Sequence, residues 1–235
     1  TGTALDYITT TQSYNQFGEI ETFDAGDYSY DIISRDKLGR ITEKSETIEG
    51  VTTTYQYTYD RAGRLETVWE NGLFVSQYTY DDNGNRLTHN ATTATYNDQD
   101  MMLSYGDNSY TYTANGDLMV KTDTVGTTTY THDALGNLTE VNLPNNDVIS
   151  YTYDGRNRRI AKMVNGTVTE RFIYQNQLKP AAKVDSSGNI LEQYIYGTRI
   201  NTPDYIIKNG EKYRVISDER GSVRLVVKVS DGTVS

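Results

Sequence analysis

Hydrophobic and polar positions alternate with a period of two along much of this chain, and turn residues interrupt the alternation at short intervals. In Tyr57-Thr58-Tyr59 both rings project to one face of an extended strand while the β-branched Thr faces the other. The run then meets Asp60-Arg61-Ala62-Gly63 and resumes at Leu65. Asp at the first turn position suits its side chain to cap the turn's own N–H groups. Gly three residues on can take the positive φ that follows a type I turn in a bulged hairpin. The Leu two positions past the Gly then rejoins the aromatic face, so the unit predicts a β-hairpin of fixed register. No window of a dozen residues sustains the three-and-four apolar spacing of an amphipathic helix, and no long helix is predicted.

The unit recurs, and a recurring unit decides the fold class. Tyr78-Thr79-Tyr80-Asp81 runs through Gly84 to Leu87, Tyr130-Thr131-His132-Asp133 through Gly136 to Leu138, and Tyr151-Thr152-Tyr153-Asp154 through Asn157 to Ile160. Asn157 stands where Gly is usual and is the replacement that positive φ tolerates best. Degenerate copies place Thr113 after Tyr110 and Tyr112 and before Gly116, and Asn15 before Gly18. The turn alone recurs at Asp36 to Gly39, Asp185 to Gly188 and Asp218 to Gly221, while Tyr194 and Tyr196 repeat the aromatic frame. A second signal, Asn71-Gly72, Asn165-Gly166, Asn209-Gly210 and Asp231-Gly232, predicts type I′ hairpins. Asp-x-x-Gly turns at one edge and Asn-Gly turns at the other describe an all-β antiparallel meander, read as a single domain over 1–235.

Composition narrows the function. The 235 residues contain 21 Tyr against 4 Phe and 1 Trp. The pairs Tyr57/Tyr59, Tyr78/Tyr80, Tyr110/Tyr112, Tyr151/Tyr153 and Tyr194/Tyr196 are expected to stack between neighbouring hairpins, each cross-strand pair contributing ~0.2–1 kcal/mol. Tyr in place of Phe is what a sheet face that meets water would need. With 0 Cys, a disulfide scaffold, a cysteine-ligated metal and thiol catalysis are all excluded. A net charge of -10 repels a phosphate backbone, so nucleic acid is not an expected partner. Apolar runs such as Leu225-Val226-Val227 fall far short of the ~20 residues of a membrane helix, so no membrane span is expected.

The remaining candidates read as scaffold. Asp81-Asp82-Asn83-Gly84-Asn85 has the composition of a calcium loop without its spacing or closing Glu, and the turn aspartates recur with the repeat, as capping residues do. His132 occupies a Tyr position and reads as a packed substitute; with His89 as the only other histidine, a three-histidine metal site is impossible. Asn90, Asn137 and Asn165 begin N-glycosylation tripeptides of the kind a Thr-rich chain produces by chance. Arg156, Arg158, Arg159 and Lys162 form a basic cluster split between two strand faces, read as solvated. No catalytic residue, cofactor or metal is expected.

These repeats resemble the YD-repeat, or Rhs-repeat, family of bacterial Rhs proteins, Tc-toxin components and animal teneurins, over roughly residues 14 to 229. Tyr213 followed by Ser217-Asp218-Glu219-Arg220-Gly221-Ser222-Val223-Arg224 looks like the start of an Rhs core, near 213–229. The resemblance implies a curved or spiralling sheet forming part of a shell, and a non-catalytic structural scaffold that encloses or presents another module of a secreted or cell-surface protein. The expected partners are the remainder of a longer chain or an encapsulated cargo. Adhesion or glycan binding through the tyrosine face, and self-assembly through open edge strands, are the alternatives.

Overall fold

The computed structural model describes residues 3–5 and 8–235, with side chains from residue 9 onward. Among them there are 23 strands, from β1 (Thr3–Leu5) to β23 (Val223–Lys228), and no helix. No described segment is therefore a helix long and apolar enough to cross a membrane. Every pairing between the strands is antiparallel, as hairpin connections of a few residues require.

The chain forms two compact units, Thr1–Tyr78 with Tyr194–Ser235, and Thr79–Gln193. In the first, β2 (Ile8–Tyr14), β3 (Ile20–Asp24), β4 (Tyr28–Arg35), β5 (Ile41–Ile48), β6 (Val51–Tyr59) and β7 (Leu65–Glu70) pair in chain order. The hairpin of β22 (Glu211–Ser217) and β23 packs on this meander, burying Tyr28, Tyr30, Ala25, Ile216, Leu225 and Val227 together. Tyr28 has 0% of its surface exposed. The second unit is a meander without such a cover, and its buried apolar residues are mostly small, including Ala94, Ala161 and Ala182.

Register explains the repeat. Tyr59 stands opposite Leu65, Tyr112 opposite Leu118 and His132 opposite Leu138, each after a one-residue register shift that marks a bulge. In the copy at Asp154 the structure moves the expectation by one place: Arg159, not Ile160, lies opposite Tyr153. The longer gap between Gly84 and Gly116 holds two further strands, Thr92–Tyr96 and Met102–Tyr105, joined by a turn at Asn97–Asp100.

Two turn expectations change. The Asp185 turn joins Pro180–Val184 to Ile190–Ile195, at the edge of the second unit that also carries Asn165-Gly166, so turn chemistry does not sort strictly by edge. At Asp231-Gly232 only Gly232 has positive φ, so this turn is not type I′. Glu49-Gly50, which carries no turn signature, does take positive φ at both positions.

Candidate functional site

The Asp-x-x-Gly corner is a closed hydrogen-bond unit. At Asp36, Oδ1 accepts from Leu38 N (2.9 Å) and Arg40 N (3.1 Å), while Oδ2 accepts from Arg40 Nε (2.6 Å). Asp60 with Arg64, Asp81 with Asn85, Asp133 with Asn137, Asp154 with Arg158 and Asp185 with Asn189 repeat the side-chain part. The residue after the glycine is therefore part of the motif, a donor that fills the second carboxylate oxygen. The Arg158 guanidinium holds the Asp154 carboxyl down at about 2, and the Asn137 amide, with its backbone N–H, lowers Asp133. Positive φ explains why glycine recurs, with +86° at Gly63, +93° at Gly84 and +88° at Gly188; an added Cβ at Gly63 would also lie 3.0 Å from Arg40 Nη1 of the preceding corner, a contact the other two lack.

The second aromatic position of the frame has, in several copies, a task that the sequence did not disclose. Tyr59 Oη donates to the carbonyl of Ile41 (2.7 Å), Tyr112 to Met102 (2.7 Å), Tyr153 to Leu138 (2.9 Å) and Tyr174 to Arg159 (2.8 Å). Each acceptor lies two residues past the last turn residue of the preceding corner. Arg35 occupies the same frame position and supplies the same donor to Ile20 (3.0 Å). The hydroxyl thus ties one hairpin to the next, which Phe cannot do; at this second position the choice of Tyr needs no wet sheet face.

The ring ladder is correspondingly sparser than expected. Tyr55 and Tyr57 stack at 6.3 Å, and Phe23, Tyr28 and Tyr30 form a cluster. Tyr110, Tyr112, Tyr151 and Tyr153 make no aromatic ring pair among the described residues. Arginines fill part of the space: Arg159 lies over Tyr151 (5.1 Å) and Arg158 over Tyr174 (5.0 Å). Arg158 is therefore half-buried rather than solvated, whereas Arg159 stays exposed, as the sequence reading has it. Of the other frame residues, Tyr78 and Tyr80 lie on Leu73–Tyr80, Tyr130 on Thr127–His132, and Tyr194 on Ile190–Ile195, with Tyr196 just beyond. His132 takes the tyrosine position, and its buried Nδ1 has no hydrogen-bond partner.

The Asp218–Gly221 corner departs from the others in burial. Asp218 and Ser217 are buried because this corner sits against the aromatic face of the first unit. Asp218 Oδ1 accepts from Arg220 N (3.0 Å) and Ser222 N (2.9 Å), and Gly221 has φ +89°. Around it runs a buried ionic network. Tyr28 Oη donates to Glu46 Oε1 (2.7 Å), Arg224 pairs with Glu46 Oε2, and Lys44 Nζ lies 3.8 Å from Glu46 and 3.4 Å from Glu219. Burial first, and then the hydrogen bond to Glu46, push the Tyr28 hydroxyl well above the ordinary phenol range. Cavities of about 330 Å³ and 540 Å³ flank Glu219, whose Oε2 is buried without a partner. The arrangement neutralises charge and clamps a hairpin; Asp218 caps its own turn.

Lys44 and Glu46 escaped the sequence reading, and Arg224 entered it only as the end of the core-like segment. A signal existed: Lys44 pairs with Tyr55 and Glu46 with Tyr30, so both charges fall on the aromatic face, where a solvated residue is out of place. Asp81-Asp82-Asn83-Gly84-Asn85 forms a corner like the others, with Asn83 and Asn85 both donating to Asp100. No group of three or more potential metal ligands converges among the described residues.

Comparison with known proteins places this geometry. The family described as Teneurin YD-shell matches residues 6–235. The chain is 31% identical over 169 residues to a protein named tRNA3(Ser)-specific nuclease WapA from Bacillus spizizenii, covering 68% of this chain and 7% of that protein. It is 28% identical over 203 residues to Teneurin-3 of Mus musculus, covering 81% of this chain and 7% of that protein. Among solved structures, a complex described as TcdB2-TccC3 without its hypervariable C-terminal region superposes with a TM-score of 0.51 at 12% identity. That match covers 97% of this chain and 20% of the other, a likeness of fold alone. The chain thus spans a small fraction of the curated relatives it matches.

Proposed function

This chain belongs to the teneurin YD-shell family, and on that premise we propose that it is a non-catalytic scaffold, one stretch of shell wall in a longer secreted or cell-surface protein. In this reading residues 1–235 act as one repeat domain, the segment near 213–229 is the start of an Rhs-type core, and the partner is the rest of the same chain or a cargo module. The observation that carries it is the corner: Asp, the residue after Gly, and the second Tyr all spend their polar groups on neighbouring backbone or on each other. Side chains so engaged transmit rigidity along a wall. The nuclease activity in the name of the Bacillus spizizenii relative then belongs to parts of that protein outside the matched 7%. The net charge of -10 fits that division, because it disfavours RNA on this surface.

The test uses the full natural protein containing this chain. Limited proteolysis and electron microscopy should show the repeat segment in a continuous wall and a second module protected until the wall is unfolded. A module digested as fast with the wall intact as without it would refute enclosure. Retention on a glycan array by wild type but not by a Tyr→Ala set would replace the scaffold reading with the adhesion one.

A further inference from the structure

Three Asn-Gly turns share one backbone conformation and differ in what holds the asparagine. Asn71, Asn165 and Asn209 have φ of 49°, 50° and 52°, and their glycines 77°, 76° and 77°. In the first unit Asn71 N donates to Thr54 O (2.8 Å) and Asn71 Oδ1 accepts from Thr54 N (2.9 Å). In the second unit Asn165 does the same with Val148, N to O at 2.8 Å and N to Oδ1 at 2.8 Å, and its Nδ2 donates to Asp147 (2.8 Å). The neighbouring hairpin therefore grips both asparagines by backbone and side chain. The side chain of Asn209, between β21 (Tyr205–Lys208) and β22, has no hydrogen bond among the described residues.

Asparagine followed by glycine is the pair most prone to cyclise, because glycine puts no side chain in the way of its own amide nitrogen. We infer that Asn209 is a site of spontaneous covalent modification, where Asn71 and Asn165 are protected by their clamps. Gly210 N attacks Asn209 Cγ; the new C–N bond closes a succinimide as the Cγ–Nδ2 bond breaks. The Gly210 amide proton leaves with Nδ2, which departs as ammonia. One water then opens the ring at either carbonyl, giving aspartate or isoaspartate. No oxidant or cofactor enters. The product carries a new negative charge between Lys208 and Lys212, and the isoaspartate form adds a backbone methylene to the turn that leads into β22.

One side-chain bond must break at Asn71 and two at Asn165 before the side chain can swing onto the following glycine, and none at Asn209. Folded protein held at pH 8 and 37 °C, digested and mapped by mass spectrometry with electron-transfer fragmentation to separate isoaspartate, should lose Asn209 at least about tenfold faster than Asn71 or Asn165, equivalent to about 1.4 kcal/mol of barrier. In 8 M urea the three rates should converge, since the clamps are gone. Equal rates for the three sites in the folded protein, or a tenfold difference that persists in urea, would overturn the inference.

Discussion

The tyrosine hydroxyls supply an internally controlled test. Tyr59, Tyr112, Tyr153 and Tyr174 each donate to a backbone carbonyl of the preceding hairpin at 2.7 to 2.9 Å. Tyr57, Tyr110 and Tyr151, in the first position of the same frames, make no side-chain hydrogen bond among the described residues. Replacing Tyr by Phe removes one oxygen and little apolar contact. At each donor position the cost is one neutral hydrogen bond, about 0.5–1.5 kcal/mol, rising toward about 3 where the carbonyl is left without any partner. The four sites share no partner, so their effects should add to about 4 kcal/mol. At the first-position tyrosines the same change should stay within about 0.5 kcal/mol. Urea unfolding followed by tyrosine fluorescence and circular dichroism measures both sets under one protocol. Equal losses in the two sets would show that the hydroxyls act through hydration of the sheet face, and the tie between hairpins would no longer explain why the repeat uses Tyr.

Three further outcomes are expected. His132→Tyr should stabilise the protein by about 1 kcal/mol, because it replaces a buried nitrogen lacking a partner with the donor used elsewhere in the repeat; a lower urea midpoint would count against it. Arg224→Met leaves buried Glu46 with the Tyr28 hydroxyl and the more distant Lys44 and should cost about 3 kcal/mol, with faster amide exchange in β22 and β23, and a variant as stable as wild type would mean the network contributes nothing. Asp154 is held at about 2, below its unfolded value of about 3.9, so its contribution is full above the unfolded value and is lost as the pH falls through about 2. Asp60 and Asp133 are shifted the same way, the first chiefly by the Arg64 backbone N–H and the second by the Asn137 side chain. The melting temperature should therefore fall between pH 4 and pH 2, in steps that Asp154→Asn reduces, and a flat profile would refute the capping account.

Much of the fold is legible in the sequence because its determinants are local. A period-two pattern, an Asp that caps its own turn and a Gly that accepts positive φ act within one hairpin, so the strand–corner–strand unit around Tyr57 to Leu65 follows from nine consecutive residues. The corner's outer half is less legible. That Arg40 or Asn137 fills the second carboxylate oxygen shows in the recurrence of Arg and Asn after the glycine, yet Asp117 and Met101 stand in the same place without that chemistry.

What the residues could not decide alone are contacts between segments far apart in the chain. The direction of each tyrosine hydroxyl depends on which carbonyl the preceding bulge turns outward, a property of two hairpins together. The burial of Lys44, Glu46 and Asp218 depends on β22 and β23 packing over β4 and β5, which brings Arg224 to Glu46 across 178 residues of sequence. Local rules fix hairpins and their register; only packing at a distance determines which polar groups lose their water and must find one another.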